Sequence, residues 1–251
     1  MHIIFYSILL NLALVLVGYI SLGSLNTSII LSKWKKKDDI RLHNSKNAGA
    51  TNSLRTYGMK FAGLVFAIDV FKTLIPTLIL AAILNHVEQA YIFASKYYMS
   101  PQSLALGVII GHIFPLYFKF KGGKGVACTI GLIASINIIL FLVAATMFFI
   151  IVFASRYVSL ASIVCAIILI PLSFIPWMTS GILGYWSNFI NVLTINMWYV
   201  SGIIYLIAAI LIITMHHSNI RRLIKHSESK LGSKEKESQN LKNDEQNLPN
   251  V

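Results

Sequence analysis

The sequence predicts an all-α, polytopic membrane protein of about seven transmembrane helices, some of them short, with the N-terminus outside and the C-terminus in the cytoplasm. Three observations support this fold class. Of the 251 residues, 56% are hydrophobic and only 12% are charged, which is too little charge to cover the surface of a soluble protein. The apolar residues gather in runs that suit a hydrocarbon core about 30 Å thick. The basic residues are dense in alternate connections, as the positive-inside rule expects.

Seven apolar runs define the predicted spans. They cover residues 3–31, 61–85, 101–118, 124–136, 137–154, 158–176 and 198–215. The first run lacks a basic leader and a cleavage site, so we expect it to be retained as a span. The third and fourth runs are short or interrupted by glycine and proline. Such helices are tolerated where they line a polar cavity inside the protein, so they indicate a built site, with poorly formed helices as the alternative.

The distribution of lysine and arginine predicts the orientation. All but two of the 21 basic residues lie in alternate connections, the exceptions being Lys72 and Lys96. The positive-inside rule places those connections in the cytoplasm. The net charge of +12 therefore reflects topology and anionic lipid headgroups rather than nucleic acid. We divide the chain into a single transmembrane domain over 1–217 and a polar cytoplasmic tail over 218–251, largely disordered after about 232.

Tryptophans flank the last outer connection, at Trp177, Trp186 and Trp198. This placement is typical of an interfacial aromatic belt. We assign these side chains no chemistry.

The first of three polar segments on the predicted cytoplasmic side is IRLHNSKNAGATNSLRTYG, residues 40–58. Its small polar side chains and glycine stand close to two arginines. Hydroxyl and amide groups beside arginine suit an anionic, oxygen-rich ligand, because they donate hydrogen bonds without bulk. A solvated topogenic loop is the alternative, although such a loop needs only Lys and Arg. The candidate ligand-binding residues are Ser45, Asn47, Gly49, Thr51, Asn52 and Arg55.

The second polar segment is GHIFPLYFKFKGGKGVAC, residues 111–128. Glycines surround Lys124 directly before an apolar helix. Backbone N–H groups at a helix start, together with a nearby ammonium, form a cradle for phosphate. The pattern is not a Walker A loop, because Phe118 replaces its first glycine and Gly125 follows the lysine. The candidates are Gly122, Gly123, Lys124 and Gly125, with His112 earlier in the segment as either a ligand or a packing residue.

The third polar segment is MHHSNIRRLIKH, residues 215–226, at the end of the last run. His216 and Asn219 are three residues apart, so they share one face of a helix. Together they could hold a phosphate or a glycerol hydroxyl. Arg221, Arg222 and Lys225 are interpreted as stop-transfer charges.

Few residues within the spans carry other chemistry. Asp69 is the only carboxylate inside a run, and Lys72 follows at i+3, which predicts an intramembrane ion pair. Cys128 and Cys165 lie in apolar runs and are interpreted as small core residues. The sequence shows no metal-ligand cluster. It also contains no His-x-x-x-x-Asp pair, which excludes the His–Asp base of the common glycerolipid acyltransferases.

Together these segments resemble the bacterial membrane family of acyl-phosphate:glycerol-3-phosphate acyltransferases, often called PlsY. The resemblance runs from about Gly18 to Gly232. It rests on GSLNTSIILSK, SKNAGATNSLRTYG, AIDVFK, GHIFPLYFKFKGGKGVA, SRYVSLAS, and on His216 with Asn219 ahead of SESKLG. It implies a seven-span enzyme of the bacterial inner membrane, with its active site facing the cytoplasm. That enzyme transfers an acyl group from acyl phosphate to the 1-hydroxyl of glycerol 3-phosphate, without a metal or cofactor.

The resemblance also implies roles for individual residues. Ser45, Arg55, Lys124, His216 and Asn219 fall in the active-site motifs, and the glycines around Lys124 let the backbone approach a phosphate. The family usually has Gly-Ser-Gly-Asn where this chain has Asn44-Ser45-Lys46-Asn47, so we expect tight turns or positive φ angles there. It also usually has Arg-His-Arg, where Met215 and His217 flank His216 in this chain.

Acyl phosphate is an activated mixed anhydride, so the protein need not supply a nucleophile. Positioning and oxyanion stabilisation suffice, and we hypothesise that the leaving phosphate accepts the hydroxyl proton. Two other classes stay open. A small transporter or flippase would place its polar site near mid-bilayer, whereas the motifs here gather at one face. A structural subunit would not need glycines around Lys124.

The topology makes a testable prediction. A cysteine introduced at Ser45, Lys121 or Lys230 should react with a membrane-impermeant thiol reagent only from the cytoplasmic side, because these positions lie in the basic connections. A cysteine at Tyr97 or Ser187 should react only from outside. Labelling of intact cells and of inverted vesicles measures both, and reaction at Ser45 from outside would overturn the orientation.

Overall fold

The computed structural model describes residues 2–179 and 198–232, and within these ranges every regular element is a helix. The elements are α1 His2–Gly18, α2 Thr27–Lys36, α3 Ala50–Tyr57, α4 Met59–His86, α5 Glu88–Lys96, α6 Pro101–Ile113, α7 Val126–Ile136, α8 Ile138–Ser155, α9 Val158–Ser173, α10 Pro176–Thr179, α11 Tyr199–Met215 and α12 His217–Ile224. A π-helical turn, Tyr19–Gly23, continues α1. Trp186 and the tail after 232, for which an aromatic belt and disorder were predicted, lie outside the described residues.

Several of these helices are long and apolar enough to cross a membrane. Within the described ranges four stretches qualify, namely His2–Lys36, Met59–His86, Pro101–Phe118 and Ile138–Ser155. Helices α11 and α12 meet at 55° and form a fifth when counted as one broken span. Helices α7 and α9 are apolar but shorter. The count of seven spans and the sidedness of the termini stay predictions.

The predicted apolar runs and the observed helices agree closely, except in the first run. Residues 3–31 do not form one continuous helix, because the chain leaves the helix after Gly23 and starts α2 at Thr27. Asn26 causes the restart: its side-chain oxygen accepts a hydrogen bond from the backbone N–H of Ile29 at 3.2 Å. This N-cap satisfies a donor that the new helix would otherwise leave unpaired.

Helix α6 is the central helix, and all its residues except Ile110 are buried. Glycines let α1 and its π-turn approach α6 closely. A Cβ atom at Gly107 would collide with the carbonyl oxygen of Val15, and one at Gly111 would lie 2.6 Å from that of Tyr19. In lipid, where helices gain little from the hydrophobic effect, such small-residue contacts provide the packing.

The apolar surface of the protein is divided between a core and a lipid-facing side. The main core lies between α6, α7, α9 and α11 and includes Ile109, Leu132, Leu169 and Tyr205. On α8, by contrast, Phe153 is 79% exposed. Exposed aromatic side chains of this size are stable when lipid is the solvent.

Candidate active site

A cavity of about 540 Å³ lies between α3, α4, α7, α8, α9 and α11. It brings together residues from all three polar segments of the sequence. The five predicted catalytic residues line it: Ser45, Arg55, Lys124, His216 and Asn219. Six of the predicted substrate-binding residues also line it: Asn47, Gly49, Thr51, Asn52, His112 and Gly125. Gly122 and Gly123 do not.

The loop that presents Ser45 is shaped by Asn52, which is 1% exposed. The Asn52 side chain accepts a hydrogen bond from the Ser45 backbone N–H at 3.2 Å. It donates to the carbonyl oxygens of Ile40 and His43, both at 3.1 Å. Asn52 therefore holds the loop in place as well as lining the cavity.

The two replaced glycines of this loop have the backbone conformation that their family pattern predicts. Asn44 has φ 45° and Lys46 has φ 57°. Both angles lie in the left-handed region, which costs lysine more than glycine. The expectation of positive φ is confirmed.

The glycine turn before Lys124 packs against the end of α6. The backbone N–H of Gly123 donates to the His112 carbonyl at 3.0 Å, and that of Gly122 donates to the Ile113 carbonyl at 3.1 Å. A Cβ atom on Gly122 would collide with the carbonyl oxygen of His112, and one on Gly123 with its ring. These glycines thus allow the backbone of the turn to approach α6 closely. Their N–H groups bind protein carbonyls and do not face a phosphate, which corrects the interpretation of the sequence.

Lys124 extends from this turn into the cavity. Its ammonium donates a hydrogen bond to the side-chain oxygen of Asn219. Burial lowers the pKa of Lys124 to about 8, opposed by the charge of Glu228 and reinforced by those of Arg222 and Arg55. The ammonium is therefore a desolvated donor close to its titration point.

Helices α11 and α12 meet at His216, and the bend brings His216 and Asn219 to the cavity. Both residues are buried, at 3% and 5% exposure, and both line the cavity. They meet there because of the bend, since His216 lies between the two helices and does not share a helix face with Asn219. Nδ1 of His216 lies 2.7 Å from the carbonyl oxygen of Ile212. A carbonyl only accepts, so Nδ1 carries the hydrogen, and Nε2 of the neutral ring remains an acceptor.

Glu228 is the site residue that sequence reasoning missed. One carboxylate oxygen accepts hydrogen bonds from Ser159 at 3.0 Å and from Asn219 at 2.8 Å. The other accepts from Arg222 at 2.6 Å, so Arg222 is more than a stop-transfer charge. Burial raises the pKa of Glu228, but the hydrogen bonds from Arg222, Asn219 and Ser159 together hold it below its usual value. The only signal for Glu228 was its place in SESKLG.

A second ionic group lies where α4 faces α6. The predicted pair of Asp69 and Lys72 is confirmed, at 2.9 Å. Thr27 donates to the same carboxylate at 2.7 Å, and Nδ1 of His112 lies 3.5 Å from it. Asp69, His112 and Cys128 bring possible metal ligands within 4.8 Å of one another. Lys72, however, already supplies the positive charge at this carboxylate.

Most of the remaining cavity lining is apolar, with a few small polar side chains, Thr129, Ser159, Ser162 and Cys165, among it. The apolar part includes Ile130, Ile133, Phe141, Ala144, Ala145, Phe148, Phe149, Val152, Ala166, Leu169, Tyr205 and Ile212. The site can therefore hold an anionic group at its polar end and an apolar chain inside.

Comparison with known proteins identifies the family. The sequence pattern of the family described as glycerol-3-phosphate acyltransferase matches residues 12–226. The chain belongs to this family. A glycerol-3-phosphate acyltransferase of Mycoplasmopsis agalactiae is 59% identical over 236 residues, covering 92% of this chain and 98% of that protein. One of Mycoplasmopsis synoviae is 42% identical, covering 91% and 97%.

Solved structures of a glycerol-3-phosphate acyltransferase have the same fold. A crystal structure of PlsY, an integral membrane enzyme, in its glycerol 3-phosphate form matches with a TM-score of 0.69 and 30% identity, covering 90% of this chain and 97% of that one. The lysophosphatidic acid form matches with a TM-score of 0.65 and 30% identity, covering 89% and 96%. The protein is therefore an integral membrane acyltransferase with the PlsY fold.

Proposed function

We propose that the protein transfers a fatty acyl group from acyl phosphate to the 1-hydroxyl of glycerol 3-phosphate, at the cytoplasmic face of the bacterial plasma membrane. The products are lysophosphatidic acid and inorganic phosphate. One observation carries the proposal: a single cavity joins a polar end that holds Arg55 and Lys124 to an apolar interior. An acyl phosphate has the same two parts. The glycerol 3-phosphate and lysophosphatidic acid forms of the related PlsY support the acceptor and the product.

The polar end carries two cationic side chains, Arg55 and Lys124. Among the ion pairs of the described residues, none includes Arg55 or Lys124. Both substrates are anions and repel each other, so binding them side by side requires cations. Arginine binds phosphate oxygens in a planar, bidentate manner, while lysine acts as a compact charge.

The reaction needs no carboxylate base. The glycerol hydroxyl oxygen attacks the acyl carbon, the bond from that carbon to the phosphate oxygen breaks, and the leaving phosphate takes the hydroxyl proton. Both carboxylates that line the cavity, Asp69 and Glu228, are already held by cations and hydrogen bonds. Holding the two substrates in contact supplies the catalysis.

A transporter explains the cavity less well. Its binding site would lie near mid-bilayer, whereas here Arg55, Lys124 and Glu228 come from loops or a helix end. Asp69 lies within α4, but it is paired with Lys72. No observation on the described residues favours that class.

The donor is tested directly. Purified protein in detergent should form lysophosphatidic acid from acyl phosphate and glycerol 3-phosphate, and should release one phosphate per product. Acyl-CoA and acyl-carrier protein, assayed in parallel, should be poor donors. In these thioesters no phosphate is bonded to the acyl carbon, where Arg55 and Lys124 would bind it. Faster turnover with either thioester would refute the acyl-phosphate proposal.

Lys124 should anchor a substrate phosphate. We expect Lys124→Ala to raise the KM for an anionic substrate by about 10- to 100-fold, because a charge-assisted hydrogen bond in a desolvated site contributes roughly 1.5–3 kcal/mol. Lys121→Ala is the matched control, since this exposed lysine does not line the cavity. Wild-type kinetics in Lys124→Ala would show the turn to be structural only.

The pH profile gives a second readout of the same residue. The ammonium is charged below its pKa of about 8 and neutral above it, so kcat/KM should fall as the pH rises through that value. Lys124→Arg keeps its charge at high pH, so any activity it retains should not show this fall.

His216 should act as a hydrogen-bonding group and not as an essential base. His216→Gln keeps a polar group of similar reach that does not titrate near neutrality, so we expect it to retain more activity than His216→Ala. A general base contributes about 10²–10⁴-fold. Burial, reinforced by the charge of Lys124, lowers the pKa of His216 to about 4. If both variants lose that much kcat while still binding glycerol 3-phosphate, and the wild-type kcat falls as the pH drops through that lowered pKa, then His216 is the base.

A further inference from the structure

The side-chain hydroxyl of Thr129, on α7, is buried in the cavity wall without a partner. The residue is 2% exposed and lines the cavity. Among the described residues, no group forms a hydrogen bond with its Oγ1. A buried polar atom without a partner destabilises the folded protein, and such atoms are rare in native structures. Two other buried polar groups of the described residues, the Ser95 hydroxyl and the Gln102 amide nitrogen, also lack a partner, but neither residue lines the cavity.

Comparable hydroxyl groups on helices bond to their own backbone. Thr77 donates to the carbonyl oxygen of Thr73 at 2.7 Å, and Ser162 donates to that of Val158 at 2.9 Å. This back-bond to the carbonyl four residues earlier is the usual arrangement for a helical threonine or serine. Thr129 does not make it, and its hydroxyl stays available to a molecule in the cavity.

Thr129 lies at the border between the two parts of the cavity. It is four residues beyond Gly125, about 6 Å along the axis of α7, and Lys124 immediately precedes that glycine. One turn further along α7, Ile133 belongs to the apolar lining. The hydroxyl is therefore placed where a bound molecule changes from charged to apolar.

We propose that the Thr129 hydroxyl donates a hydrogen bond to the carbonyl oxygen of the acyl donor and stabilises the oxyanion that forms there. The proposal rests on the function proposed above. The acyl carbon is bonded both to the chain, which lies in the apolar interior, and to the leaving group at the basic end. Its carbonyl must lie at the border between them, whereas glycerol 3-phosphate is polar throughout and reaches it from the basic end.

The chemistry at this carbonyl is simple. As the glycerol oxygen bonds to the acyl carbon, the carbonyl π electrons move onto the carbonyl oxygen, and Thr129 donates to the resulting oxyanion. The electrons then return, the bond to the leaving oxygen breaks, and phosphate departs with the hydroxyl proton. A donor already positioned in a site without water strengthens its bond as the charge develops.

The test compares Thr129→Val with Thr129→Ser, using the acyl donor that the wild-type protein turns over. Valine keeps the shape and removes the hydroxyl, so we expect kcat to fall by about 10- to 100-fold with little change in the KM for glycerol 3-phosphate. Serine should restore most of kcat. Thr77→Val is the matched control, because Thr77 is a buried helical threonine outside the cavity lining, and its kcat should equal that of the wild type.

Thermal unfolding separates this role from a structural one. Since valine removes an unpaired buried hydroxyl, Thr129→Val should unfold at the same or a higher temperature than the wild type. A kcat within twofold of wild type would overturn the proposal and leave the hydroxyl as a water ligand. A loss of kcat that serine does not restore would overturn it as well. Because either donor class carries an acyl carbonyl, these outcomes are distinct from failure of the acyl-phosphate assay.

Discussion

The buried end of α6 joins the membrane helices to the glycine turn before Lys124, and the position of Lys124 depends on these contacts. The carbonyl oxygen of His112 accepts from the N–H of Gly123 at 3.0 Å and from the side chain of Asn26 at 3.4 Å. The His112 ring lies 3.5 Å from the buried carboxylate of Asp69. Because Asn26, Asp69 and His112 are buried, their polar groups must find partners within the protein. These contacts connect α2, α4 and α6 to the turn at one point.

Sequence reasoning succeeded where the signal is local. Lipid requires apolar runs of a given length, so the run 137–154 predicted α8, observed at Ile138–Ser155, to within one residue. Polar residues at the ends of such runs have few roles other than topology or chemistry, so Ser45, Lys124 and His216 could be named before their contacts were known. The prediction that these residues belong to one site was based on the family resemblance and not on periodicity.

The remaining features depend on partners that are distant in sequence. Glu228 lies in a polar stretch that the sequence assigns to the cytoplasmic tail. Only the folded chain brings it to Ser159, 69 residues away. Gly122 and Gly123 resemble a phosphate loop in sequence, but their N–H groups bind the carbonyls at the end of α6. In both cases the same residues allow two sets of partners, and tertiary packing selects between them.

The charges around the cavity explain why an anion completes the site. Glu228 is paired with Arg222, and Asp69 with Lys72, so each cavity carboxylate is already neutralised. Arg55 and Lys124 lack such a carboxylate partner among the described ion pairs, and they repel each other in a poorly solvated space. A bound phosphate relieves that repulsion and replaces lost solvation. The affinity for anions thus arises because the protein without a ligand holds two poorly solvated cations that repel each other. The apolar interior orients the chain of such a ligand and thereby fixes which of its atoms lies between the two regions.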